Sequence, residues 1–167
     1  NAEARPLMDE KFAALENGNL LAAEPSPIYP NDNHVIHSRV HIAALSAGVQ
    51  GVNEGTEDIA EILPGLVTLL EHTTQHVEAM SGDPMVTEEA AANRKALQQM
   101  TEVITNGAKH VEKLRRQESQ QAEQAPEQGG QLPGNVDMDV KLRQRLAEHQ
   151  VKLDMLRQQS ELKMNLR

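Results

Sequence analysis

The sequence predicts an all-α protein: a short helical bundle followed by a long C-terminal amphipathic helix. Three observations lead there. The strong helix formers Ala, Leu, Glu, Gln, Met, Lys and Arg make up most of the chain outside its turns. Apolar residues recur at intervals of three and four between Pro-, Gly- and Asn-rich breaks. Phe12 and Tyr29 are the only aromatic residues and there is no Trp, so any core must be built from aliphatic side chains and Met.

Taken in order, Ala2 to about Leu21 reads as a first helix with Leu7, Phe12, Leu15 and Leu20 as its apolar members and Asn17-Gly18 as a weak point. Pro25, Pro27 and Pro30 then impose an extended connector, because each lacks an amide donor and restricts the residue before it. Asn31-Asp32-Asn33 supplies N-cap side chains for a second helix from about His34 to Gln50, with Ile36, Val40, Ala43 and Ala47 on one face. Gly48, Gly51 and Gly55 loosen the chain before Thr56-Glu57-Asp58 caps a third helix. Its stripe includes Ile59, Leu63, Leu66, Leu70, Val77 and Met80, and Pro64-Gly65 predicts a kink or a split. Ser81 to Pro84 ends it, and Thr87-Glu88-Glu89 caps a fourth helix carrying Leu97, Met100, Ile104, Val111 and Leu114 up to about Arg116.

These elements form a helical body over 1–116. Residues 117–135 are rich in Gln, Glu, Pro and Gly without hydrophobic periodicity and read as a flexible linker or frayed helix end. The last helix, 136–167, aligns Leu142, Leu146, Leu153 and Leu156, then drifts to Met155, Leu162 and Leu166. A lone amphipathic helix of this kind needs a partner surface, for which a neighbouring copy is a candidate. The opening Asn1-Ala2-Glu3-Ala4-Arg5 reads as the interior of a helix, so a fragment of a longer protein is expected.

Charge narrows the function classes. The formal net charge is −9: residues 1–135 hold 9 Lys and Arg against 20 Asp and Glu, a balance of −11, while 136–167 hold 7 against 5, a balance of +2. An acidic body with almost no aromatic platforms is the reverse of what capture of DNA or RNA requires. No apolar run approaches the roughly 18 residues of a membrane span, so no membrane partner is expected. The absence of Cys removes disulfide and thiolate chemistry.

The histidines are the one constellation with metal-ligand spacing. His34, His37 and His41 fall at i, i+3 and i+7 on one helical face, and His72 and His76 form an i, i+4 pair. Asp32 or a residue of a neighbouring subunit could complete a shell around the triplet. Without an HExxH arrangement or a Cys, we expect no metal, and read these histidines as packing and hydrogen-bonding groups at a helix–helix or subunit contact. Glu57, Asp58 and Glu61 sit where the helix dipole alone explains them. Phosphate-binding glycine loops, nucleophile elbows and nucleotide fingerprints are absent from the sequence, so no catalytic residue and no cofactor is expected. The basic residues Lys141, Arg143, Arg145, Lys152 and Arg157 alternate with acidic ones and read as a solvated helix face rather than a phosphate grip.

The stretch Ala13 to Leu21, the proline connector ending at Pro30, and Asp32, His34, His37 and His41 together resemble a pattern in the C-terminal regions of tailed-phage portal proteins of the podovirus type. The tail segment His149 to Gln159 is similar to the long C-terminal helices of that family. The resemblance covers about 13–41 and 136–167. It implies a homo-oligomeric, dodecameric ring at one capsid vertex of the virion, assembled in the host cytoplasm, through which double-stranded DNA passes during packaging and ejection. This chain would be the interior-facing crown and barrel of that head–tail connector. Capsid protein, packaging terminase and tail adaptors would dock on the full-length protein. Competing readings are a phage scaffolding protein or an ejected internal virion protein, and, in another class, a helical metalloprotein such as a hydrolase using His34, His37 and His41.

Overall fold

The computed structural model describes residues 4–123 and 136–165, with side chains over 5–121 and 140–155. All described secondary structure is helical. The elements are α1 (Ala4–Leu21), α2 (His34–Glu54), α3 (Ile59–Met80), a single 3-10 turn (Pro84–Val86), α4 (Thr87–Glu123) and α5 (Val136–Asn165). None of these helices is long and apolar enough to cross a membrane. The remainder of the expected linker, 124–135, and the side chains of Leu156, Leu162 and Leu166 lie outside the described residues.

The boundaries follow local chemistry. Asn33 caps α2 by accepting from the Ile36 amide at 3.3 Å, while its neighbour Asp32 closes the preceding turn by accepting from the Tyr29 amide at 2.6 Å. Helix α2 runs past Gly48 and Gly51 and stops at Gly55, whose φ of +72° is open to glycine at no steric cost. Asp58 caps α3 by accepting from the Ala60 amide at 2.8 Å. The cap expected from Thr87 is displaced upstream: Asp83 accepts from the Met85 amide at 2.9 Å and starts the 3-10 turn that leads into α4. Helix α4 then takes the first residues of the expected linker, as far as Glu123, into its last turns.

Helix α3 is the centre of the fold and touches each of the other four α-helices. Leu63, Leu66, Val67, Leu69, Leu70 and Val77 are all buried, on more than one side of the helix. Its buried hydroxyls are satisfied internally, with Thr68, Thr73 and Thr74 donating to the carbonyls of Pro64, Leu69 and Leu70. The split expected at Pro64-Gly65 does not occur: α3 is one helix through both residues. Gly65 has a packing role instead. A Cβ there would lie 2.8 Å from the Leu21 Cα and 2.7 Å from its carbonyl carbon, so the bare backbone lets the end of α1 seat on α3.

Two faces differ from expectation. On α2, Ala43 and Ala47 are exposed, and the inward face is formed by His37, Ser38, His41 and Leu45. On α1, Ala13 and Leu20 are buried while Leu7, Phe12 and Leu15 point outward. The buried face of α2 is made of imidazoles, and α1 turns Glu16 toward them between Ala13 and Leu20, which leaves its larger apolar side chains outward. Helix α5 finds its partner within the chain: Leu142, Leu146 and Leu153 are buried, with α3 and α4 as the surface they close on. Its basic residues clamp that contact. Arg145 pairs with Glu71 through two bonds of 3.0 and 2.6 Å, Lys152 reaches Glu78 at 3.1 Å, and Arg143 reaches Glu112 at 2.8 Å. Arg39 joins α2 to Glu89 of α4 in the same bidentate manner, at 2.5 and 3.0 Å.

Candidate metal centre

The interval of three and four on α2 aligns His34, His37 and His41, and the interval of four on α3 aligns His72 and His76. The α2–α3 contact presses the two rows together. His37–His76 and His72–His76 ring centroids are 4.8 Å apart, and His41–His72 4.9 Å. His37, His41, His72 and His76 are all buried, and His34 is half-buried at the edge.

The carboxylate of the centre comes from α1. Glu16 directs Oε2 at the imidazoles, 3.1 Å from His37 Nδ1, 3.6 Å from His41 Nε2 and 3.8 Å from His72 Nε2. Its other oxygen is engaged, since Ser26 Oγ donates to Oε1 at 3.2 Å. Ser26 acts a second time through its carbonyl, which accepts from His72 Nδ1 at 3.0 Å. Asn17, beside Glu16, accepts from His41 Nδ1 through Oδ1 at 2.7 Å. His76 bridges the remaining rings, with Nε2 at 3.1 Å from His72 Nε2 and Nδ1 at 2.9 Å from His34 Nδ1.

These bonds settle tautomers. A carbonyl or amide oxygen can only accept, so His41 and His72 carry their protons on Nδ1 and present bare Nε2 lone pairs. Burial pushes the His41 imidazolium down to about 3, with the neighbouring His72 and His37 adding to the shift. His76 is pushed to about 2 by burial and then by its histidine neighbours. Burial also lowers His72, against the pull of Glu16 and the Ser26 hydrogen bond, and lowers His34 against the pull of Asp32. Near neutral pH these four rings are therefore uncharged, the state in which imidazole binds metals.

Among the described residues, Glu16, His37, His41 and His76 offer one ligand atom each, all within 4.8 Å of one another. Of the sequence triplet, His37 and His41 belong to this set. His34 lies at its rim against His76, and Asp32 is occupied by the Tyr29 turn. Sequence spacing marked both histidine rows but not their convergence; it offered Asp32 or a neighbouring subunit's residue beside the triplet, whereas the carboxylate that approaches the rings is Glu16 of α1. The polar Glu16-Asn17 pair within a helix was the available signal. Elsewhere, a surface cleft lined by Glu71, Arg145, His149 and Lys152 lies between α3 and α5, and a second is lined by residues of α4 and α5; neither includes the histidine rows. Comparison of the chain with known protein families, curated proteins and solved structures finds no match.

Proposed function

We propose that this protein is a structural ring subunit of the portal class, a helical collar facing the capsid interior that lets DNA pass and performs no chemistry on it. The observation that carries the assembly is the outward face of α1. Leu15 is 72% exposed, Phe12 53% and Met8 49%; they stand at i, i+4 and i+7, with Leu7 beside them at 59%. A continuous apolar stripe on a charged chain marks a contact surface. Repeated round a closed symmetry, the stripe would be covered by a neighbouring copy.

The portal class is supported by the Asp32, His34, His37 and His41 pattern together with the Glu16-Asn17 pair before it, of which Glu16 and Asn17 meet His37 and His41 in the fold. Guidance rather than capture of DNA is supported by the net charge of −9 and by the pairing of Arg143, Arg145 and Lys152 with the chain's own glutamates. Capsid protein, terminase and tail adaptor would meet other parts of the assembled protein.

Mass in solution together with electron-microscope images tests this reading. Closed rings with a central hole are expected, with twelve copies as the resemblance implies. Discrete or elongated monomers at high concentration would remove the ring and favour a scaffolding or internal virion protein.

A further inference from the structure

The centre turns three buried polar atoms on one another with no hydrogen bond between them. Ser26 holds Glu16 Oε1, which turns Oε2 inward, and Asn17 takes the Nδ1 proton of His41, which leaves Nε2 bare. These two acceptors face each other across 3.6 Å with no hydrogen between them. His37 Nδ1 approaches the same carboxylate oxygen to 3.1 Å without hydrogen-bond geometry, and all three atoms are buried and lack a hydrogen-bond partner. Buried acceptors left so are costly, and a proton could answer one pair while leaving the others opposed. A cation among them answers all.

The spacing suits a small one. Zinc bonds of about 2.0–2.1 Å in tetrahedral array set ligand atoms roughly 3.3 Å apart; the two separations from Glu16 Oε2 lie on either side of that, and the four atoms, within 4.8 Å of one another, would draw inward on the ion. We propose that Glu16, His37, His41 and His76 bind one divalent first-row transition ion, zinc by preference, which ties α1, α2 and α3 together, His76 joining through a nitrogen that exchanges its bond to His72 or His34 for the ion. Three imidazoles and one carboxylate select zinc and its neighbours over calcium and magnesium, which require oxygen ligands. Four protein donors in a buried site close the coordination shell, so the ion is structural and not catalytic. Asn17 and Ser26 are positioning residues that hold His41 and Glu16 in the orientation the ion needs.

This inference stands apart from ring formation and is tested on the protein in whatever assembly it adopts. Protein stripped with a chelator is titrated with Co²⁺ alone. One equivalent per chain is expected, with the intense visible absorption of a tetrahedral site, bleached by stoichiometric Zn²⁺. Zinc at a hundredfold excess over its dissociation constant should raise Tm by roughly 5–10 °C. The double variant Glu16→Gln, His41→Gln should lose the spectrum and the Tm response together. Should that variant fail to fold, the unmodified protein still decides through its cobalt spectrum and the Tm drop on chelation. Absence of stoichiometric cobalt or zinc with an unmoved Tm overturns the proposal. So does an equal response to Ca²⁺ or Mg²⁺, or an unchanged spectrum in a folded double variant.

Discussion

Asn17 accepts the Nδ1 proton of His41 at 2.7 Å in a site where the His41 ring has no exposed surface. That bond orients the ring, selects its tautomer and satisfies a buried donor. Replacing Asn17 by Ala removes the acceptor but leaves the donor buried, which costs about 1–3 kcal/mol. Urea unfolding should show that loss, and an unchanged midpoint would mean that a water or a rotated His41 takes over. The same reasoning explains why the histidines were hard to weigh from spacing alone. A triplet at i, i+3 and i+7 has the same pattern whether its partners are leucines or a carboxylate. What distinguishes the cases is a residue some twenty positions away on α1.

Helix docking turns on a few close approaches, and two glycines of α1 and α3 should respond with opposite signs. Gly65→Ala places a methyl group on the Leu21 backbone, which cannot yield as a side chain tip can; a loss of about 1–3 kcal/mol is expected from overpacking. Gly18, exposed on α1 with nothing near its Cβ direction, should gain up to about 1 kcal/mol as Ala. Thermal unfolding of both variants checks the pair, and equal signs would contradict the contact. Helix α5 should respond to mild acid through His149, which is 4% exposed and donates from Nε2 to Thr74 Oγ1 at 3.3 Å. Burial, then Lys152, pushes His149 down to about 4. Glu71 of α3, with Glu148, Arg145 and Lys152 of α5, lines the adjoining cleft. Since its folded pKa lies below the ordinary value of about 6.5, the undocked state binds the proton first as pH falls. The docked helix therefore keeps its full stability above about pH 6.5 and loses about 3 kcal/mol by pH 4. Amide protection in α5, corrected for the intrinsic pH dependence of exchange, should fall from pH 7 to pH 5, and His149→Gln should flatten that dependence. At this scale the sequence was informative: each helix lies where its caps and periodicity placed it, within a few residues at most ends. The faces were less legible, because α2 turns imidazoles inward and α1 turns leucines outward.

For the whole molecule, the proposed ring implies that assembly and folding are separable. Leu15→Glu puts a charge in the exposed α1 stripe, away from Leu20, Ala13 and the histidine centre, so rings should fall to monomers while helicity is retained. Sedimentation beside circular dichroism reads both quantities, and intact rings in the variant would place the subunit contact elsewhere. The −9 charge, the all-helical class and the two histidine rows were settled by the sequence itself, because charge is additive and helix formation depends on neighbours within about four residues. The tertiary structure decided which faces meet. Gly65 admits the end of α1, α1 brings Glu16 and Asn17 to the histidines, and α5 closes on α3 and α4 of its own chain. Those outcomes depend on shape complementarity between segments far apart in sequence, and local periodicity carries no record of it.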